Sequence, residues 1–370
     1  MRAAVAWAVG CMAWLAVAAA RSAGAAPENV RFSGDLRYRF EYTGEEGLAG
    51  RQRDRLRARA GAEATVATNV TAVIQAAGGT GEPTSSNQTL TDGFSRKNIW
   101  LDLAYVEWRP APGLAVAGGK LRNPFLCVSD LIWDTDVNPE GVAAQGRYGL
   151  GPTELRANAG YLWVVERTDQ SDSAKLYAGQ LAGRRSFGDK VSVTVGASCY
   201  LFANMEGFPL IDASNSGRSY GNSFRNVIVG GATNRVYAGG FNLAEGFAEV
   251  GFSAGLPARL YAQCVVNADA DQDQTGYLVG VGLGRAKERG SCELGYEYAR
   301  IGKDGVPGCF TDADRWGGGT DGRGHKVTLK YQLMQNVQAA AAGFMDTRAI
   351  SDPARTHDFN RFQFDITAKF

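Results

Sequence analysis

Residues 51–59 read RQRDRLRAR, with arginine at 51, 53, 55, 57 and 59 and other residues between. On a helix that spacing scatters the guanidinium groups around the axis; on a strand all five point to one face. The other face carries Gln52, Asp54, Leu56 and Ala58, then Ala60, Ala62 and Ala64, and turns apolar as the strand proceeds. The stretch is a strand with one cationic side and one greasy side. Just before it, Val30, Phe32, Gly34, Leu36, Tyr38, Phe40 and Tyr42 interleave with Arg31, Ser33, Asp35, Arg37, Arg39 and Glu41.

Period two recurs to the far end of the chain. Val191, Val193, Val195, Ala197, Cys199 and Leu201 alternate with polar or small residues, as do Val327, Leu329, Tyr331 and Leu333. No segment has a helical stripe. Short turns at 67–69, 109–113, 187–190 and 334–336 take turns with longer polar segments near 43–50, 78–97, 122–141, 166–173, 203–235, 268–275, 302–322 and 348–356. That wiring predicts an all-β, transmembrane antiparallel β-barrel of about sixteen strands, with short periplasmic turns and long extracellular loops. A soluble β-sandwich is the alternative, but its Greek-key links do not call for alternating loop lengths. In NIWLDLAYVEWR (98–109) both parities carry large apolar groups, so the faces stay unassigned, and 113–121 is similarly ambiguous. The ending FQFDITAKF, apolar at alternate positions through Phe370, resembles the barrel-insertion signal of outer-membrane proteins and implies the barrel-assembly machinery as a partner.

The N-terminus has one arginine, an apolar run through Ala20 and the small residues SAGAA, so residues 1–25 read as a signal peptide and 26–370 as a single barrel domain. Its loss removes Arg2 and Arg21 and takes the formal net charge from +1 to −1, which argues against a nucleic-acid partner. Five cysteines remain, at 127, 199, 264, 292 and 309, with no CxxC. Cys199, Cys264 and Cys292 fall on the apolar parity and read as small hydrophobes. Cys127 and Cys309 lie in loops on the same side, which leaves a bridge between them open.

In a barrel the apolar parity faces outer-membrane lipid, where a mid-depth arginine costs about 2–4 kcal/mol. Arg37, Arg39, Arg53, Arg55, Arg57 and Arg59 are therefore expected to line the pore, with Arg31 and Arg51 on the same face. Antiparallel pairing brings Arg37 and Arg39 beside Arg53, Arg55 and Arg57, and like charges destabilise a sheet. Acid is needed across the lumen. The loop 122–141 offers Asp130, Asp134, Asp136 and Glu140, and its Phe125, Leu131, Ile132 and Trp133 are apolar anchors that a freely solvated loop has no use for. Folded inward, it makes a charged constriction of the kind by which pores select solutes. The other arrangement lays this loop over the rim, leaving the arginines in a wide bore or on lipopolysaccharide phosphates.

The segments SSNQTLTDGFSRKNIWLDLAYVEWRP (85–110), GGKLRNPF (118–125), SDLIWDTDVNPEG (129–141) and GGGTDGRGHKVTLKYQL (317–333) resemble the bacterial putative-porin family. The resemblance implies an outer-membrane porin that passes small hydrophilic solutes and ions, a homotrimer by similarity to general porins, with 122–141 folded opposite a basic wall. An anion- or solute-selective channel is the alternative. Some relatives place a coiled coil before the barrel; here the first strand starts almost at the cleavage site.

Other chemistry is thin. DADQD (269–273) spaces acids as calcium loops do but has Gln274 and Gly280 where an EF-hand needs Gly and Glu. GVGLG (280–284) lacks a nucleotide-loop spacing. His325 and His357 are the only histidines, and no motif gives either an oriented nucleophile, as a barrel hydrolase requires. A surface adhesin with a plugged lumen is a further alternative. No enzyme, metal or cofactor is expected.

Overall fold

The structure, a computed structural model, describes residues 29–370 apart from 92, 170, 214 and 215; the expected signal peptide lies outside the described residues. The wall is one antiparallel sheet of 17 strands, and one of them, Gln88–Thr89, is a two-residue insert. The other 16 close into a barrel. They are β1 (Asn29–Glu45), β2 (Arg51–Ala67), β3 (Val70–Gly78), β4 (Ile99–Ala111), β5 (Leu114–Lys120), β6 (Glu140–Leu150), β7 (Thr153–Val165) and β8 (Ala174–Phe187). The second half is β9 (Val191–Ala203), β10 (Phe241–Ala254), β11 (Leu256–Asn267), β12 (Thr275–Gly284), β13 (Cys292–Ile301), β14 (Gly322–Met334), β15 (Val337–Arg348) and β16 (His357–Lys369). Each pairs with its chain neighbour, and β16 pairs back onto β1, with Leu36 opposite Ala368 and Tyr42 opposite Phe362. No edge is left, and backbone polar groups are satisfied within the wall.

Burial is inverted relative to a soluble protein. On β9, Val195 is 53% exposed while its near neighbour Ser198 is 3% exposed; on β11, Leu260 stands out and Gln263 is buried. Aromatic side chains ring the outer face at both ends. Tyr42, Trp163, Tyr177 and Tyr277 stand near the loops, and Phe32, Trp108, Tyr148, Phe187 and Phe370 near the turns. These are the girdles that sit at the two membrane interfaces. Cys199, Cys264 and Cys292 are exposed on the outer parity, and all five described cysteines are free, Cys127 and Cys309 included.

The ambiguity of the stretch 98–109 comes from how it pairs with β3. Gln75 pairs with Leu103 but Ala76 pairs with Leu101, so Asp102 is an extra residue in β4. This bulge swaps the faces: Ile99 and Leu101 are exposed before it, Val106 and Trp108 after it, and Leu103 is buried inside. The Asp102 carboxylate accepts hydrogen bonds from Gln75 Nε2 (2.6 Å) and Asn138 Nδ2 (2.8 Å), which ties the bulge to the third long loop. In β5, Gly119 has φ +132°, and a Cβ there would lie 2.2 Å from the Ala104 carbonyl oxygen. Only glycine fits.

The hydrophobic core lies inside the barrel. Phe125, Leu131, Ile132, Trp133 and Val137 of the loop between β5 and β6 pack on Leu162, Leu176, Tyr200, Phe202, Leu243 and Val265 of β7–β11. The strands β16, β1 and β2 stand across the lumen from this packed side, and they carry the arginines.

Candidate functional site

The register of β1 on β2 stacks four charged rungs: Asp35 opposite Arg59, Arg37 opposite Arg57, Arg39 opposite Arg55, and Glu41 opposite Arg53. Two arginine–arginine rungs are thus bracketed by two acid–arginine rungs. Asp35 accepts from Arg57 Nε (2.8 Å) and Arg59 Nε (2.7 Å). Glu41, with no exposed side-chain surface, pairs with Arg53 and Arg55. From β16, Asp365 takes a two-point bond from Arg39 (2.7 and 2.8 Å) and lies 3.6 Å from Arg37. Interleaved carboxylates, two on the same strand and one on the next, are how the sheet tolerates the repulsion.

The row is covered. Its side chains range from 7% exposed at Arg39 to 27% at Arg59. Part of the cover is the loop after β3: Gln88–Thr89 pairs with Arg55–Leu56, and Asn87 Oδ1 accepts from Arg37 (2.7 Å). Of the third loop's acids, Asp136 alone reaches the row, 3.6 Å from Arg59, with its other oxygen held by the Ser86 N–H (3.0 Å) and hydroxyl (2.8 Å). Burial would raise the Asp136 pKa, but the Ser86 bonds with Arg57 and Arg59 outweigh it and hold the group below the usual carboxylate range. Asp130 points instead to Lys326 (2.7 Å) and Arg315 (3.6 Å), Asp134 accepts the Ala313 N–H (3.0 Å), and Glu140 pairs with Lys120 (3.0 Å).

The main acid across from the arginines is Asp314, 3.1 Å from Arg39 and 2.6 Å from Arg361. It belongs to the loop between β13 and β14, residues 302–321, which sequence reasoning left as an ordinary long loop. The signal was there: Val306, Cys309, Phe310 and Trp316 are apolar anchors of the kind that singled out 122–141. In the structure Val306 and Trp316 are buried in the same core as Trp133.

A clasp joins the two inward loops. Arg315, 2% exposed, sits among Asp130, Asp312 and Glu297, and Lys326 lies beside the same three carboxylates. Burial raises the Asp312 carboxyl to about 7, with Asp130 and Asp314 adding to it and Lys326 and Arg315 opposing. Burial also favours neutral Asp130, yet Lys326 and Arg315 prevail and keep it ionised well below the usual range. One member of the pair is thus proton-holding near neutrality and the other is not.

Between the arginine wall and the loop lies a chamber of about 150 Å³ lined by Arg53, Arg55, Arg218, Arg361, Glu82 and Asp314. Among the described residues, the Nε donors of Arg37, Arg53, Arg55 and Arg361 find no hydrogen-bond partner. At the turn end, Phe370 exchanges both backbone hydrogen bonds with Gly34 (2.9 and 3.1 Å) and leaves its ring outside. His325 packs on Tyr296 and Tyr298, and His357 bonds Glu45. Among the described residues no group of three His, Cys, Asp or Glu side chains is placed to hold a metal.

The family described as "Putative porin" matches residues 27–221 and 232–370. No curated protein matches by sequence. Among solved structures, Pseudomonas putida OprB is similar with a TM-score of 0.59 at 10% identity, over 92% of this chain and 94% of that one. Vibrio cholerae OmpT, in a trimer form, matches at 0.50 and 13% identity over 92% and 99% of the two chains. A triple mutant of Rhodopseudomonas blastica porin matches at 0.51 and 11% identity over 92% and 100%. At these identities the likeness is one of fold. Family and fold together point to a channel and not to an enzyme. The chain belongs to the putative-porin family and is a multi-pass β-barrel of the outer membrane.

Proposed function

We propose that the mature chain, 26–370 after loss of a signal peptide at 1–25, forms a water-filled channel for passive diffusion of small hydrophilic solutes and ions. Its selecting element is the basic wall of Arg37, Arg39, Arg53, Arg55, Arg57 and Arg59, faced by the inward loops. The observation that carries the reading is a surplus of positive charge at a covered point of the lumen. Seven guanidinium groups, with Arg361 included, meet five carboxylates: Asp35, Glu41, Asp136, Asp314 and Asp365. A cationic wall in a low-dielectric bore favours anions over cations. The barrel assembles as a homotrimer, a form also recorded for OmpT, and Phe370 serves as its insertion signal to the assembly machinery.

Planar-bilayer recording of the refolded mature chain tests this. Stepwise conductance with chloride preferred over potassium is expected. Replacing Arg53, Arg55, Arg57 and Arg59 with serine abolishes that preference. Because the fourfold change strands Asp35 and Glu41, Arg59→Gln is the milder arm and lowers the preference without losing the barrel. Conductance with unaltered selectivity in both variants would remove the arginine wall from the pore. A properly inserted barrel that passes no current would remove the channel.

A further inference from the structure

Beside the arginine chamber, separated from it by the segment 82–85, lies a second and larger pocket of about 370 Å³. It opens on the loop side, between the loop after β3, the return of the third loop and the upper wall. Its floor is aromatic. Trp133 of the third loop, Phe202 of β9 and Phe310 of the 302–321 loop come together with ring centroids 5.8–6.5 Å apart and interplanar angles of 17–33°. Its side is Trp100, on the lumen face opposite buried Ala77.

Trp100 is the unusual element. Its ring is fixed by a hydrogen bond from Nε1 to the Gly79 carbonyl (2.9 Å), yet the residue is 46% exposed. Gly81 lies against the ring, where an added Cβ would come within 3.4 Å. An indole held in place with half its surface uncovered contributes little to folding, and it offers a flat apolar platform inside a polar bore. The polar lining mixes donors and acceptors: Lys120, which also bonds the Asn138 carbonyl (3.1 Å), Ser85, Glu82 and Asp136. Of the lining carboxylates, Asp102 is held by Gln75 and Asn138, Asp136 by Ser86 and Arg59, and Glu140 by Lys120, while Glu82 also lines the arginine chamber, so the pocket's acid is offset in part from within and in part from the arginine side.

A platform for a C–H face, ringed by both donors and acceptors, fits a neutral ring bearing hydroxyls. We infer that this pocket is a binding subsite for a monosaccharide-sized cyclic polyol, stacked on Trp100 at the loop-side mouth of the channel. An organic cation suits it less well because Lys120 stands at the rim and Arg53, Arg55, Arg218 and Arg361 line the adjoining chamber. A free anion is drawn to the neighbouring arginines instead. The proposal rests on the channel reading for its biological use, although binding itself does not depend on current flow.

The test uses the full mature barrel, refolded in detergent and in bilayers. D-glucose titrated into the detergent sample is expected to change tryptophan fluorescence with saturation. Trp100→Ala weakens that response about tenfold and Trp100→Phe restores part of it. Saturation in the wild type and loss in Trp100→Ala supports the subsite. No saturable response from a barrel that conducts potassium chloride normally overturns it and leaves the channel standing. Saturable glucose binding with no current sinks the channel reading and keeps the site. A response to choline and none to glucose overturns the polyol assignment.

Discussion

Asp312 shows what a single buried carboxyl does to the joint between the two inward loops. It faces Asp130 and Asp134 from the third loop, Lys326 from β14, and Asp314 and Arg315 from its own loop. Its pKa is raised by burial from 3.8 to about 7. A carboxyl whose folded pKa is raised stabilises the folded arrangement fully below its ordinary value, and loses that contribution as pH rises through the folded one. The window is therefore from about pH 4 to about pH 7, with the clasp tighter on the acid side. Asp130, held low by Lys326 and Arg315, stays ionised across the whole window and adds no slope there. Open-channel current noise should rise between about pH 4 and about pH 7 as the 302–321 loop loosens. Asp312→Asn should flatten that rise, and noise that follows pH equally in both proteins would count against the clasp.

Among the elements, the 302–321 loop is anchored in the bore by Trp316. Trp316 has φ +36° and is followed by Gly317, Gly318 and Gly319, all at positive φ, so the chain reverses tightly to seat the indole. The indole sits against Gly322 at the start of β14, where a Cβ would lie 2.4 Å from the ring. Gly322→Val should unseat Trp316 at a cost of about 1–3 kcal/mol. It should free Asp314 from the arginines and so raise single-channel conductance and chloride preference together. Unchanged conductance would mean that this loop does not narrow the pore. Strands and turns were readable in the sequence because period two and turn length are local properties. The arginine face was readable for the same reason, since parity alone places Arg53 to Arg59 together. The faces of 98–109 were not, because the bulge at Asp102 is defined by its partner strand and leaves no local mark. The partners of Asp130 and Asp134 were not readable either. They depend on which loop folds over which, and Asp314 reaches Arg39 across 275 residues of chain.

At the scale of the whole molecule, the barrel is stable only if its outer band stays dry. That band is continuous because first and last strands pair in register over Asp35–Glu45, with no edge through which water or another strand could enter. The strands β12 and β13 are among its shorter walls, so substitution there samples the membrane centre most directly. Val279 lies in the middle of β12, opposite Tyr298 on β13 and Ala262 on β11, and is 47% exposed on the outer face. Its neighbour Leu278 is fully buried inside. Val279→Arg should therefore make insertion less favourable by about 2–4 kcal/mol, the cost of a cation at the bilayer midplane. Urea titration of folding into lipid vesicles reads this directly. The same substitution at Phe32, beside the turn-end interface, should cost no more than about 1 kcal/mol, because an arginine there reaches the headgroups. A steep difference between the two sites is what a membrane-spanning wall demands. Equal and small effects at both would mean that the greasy parity of these strands faces something other than lipid.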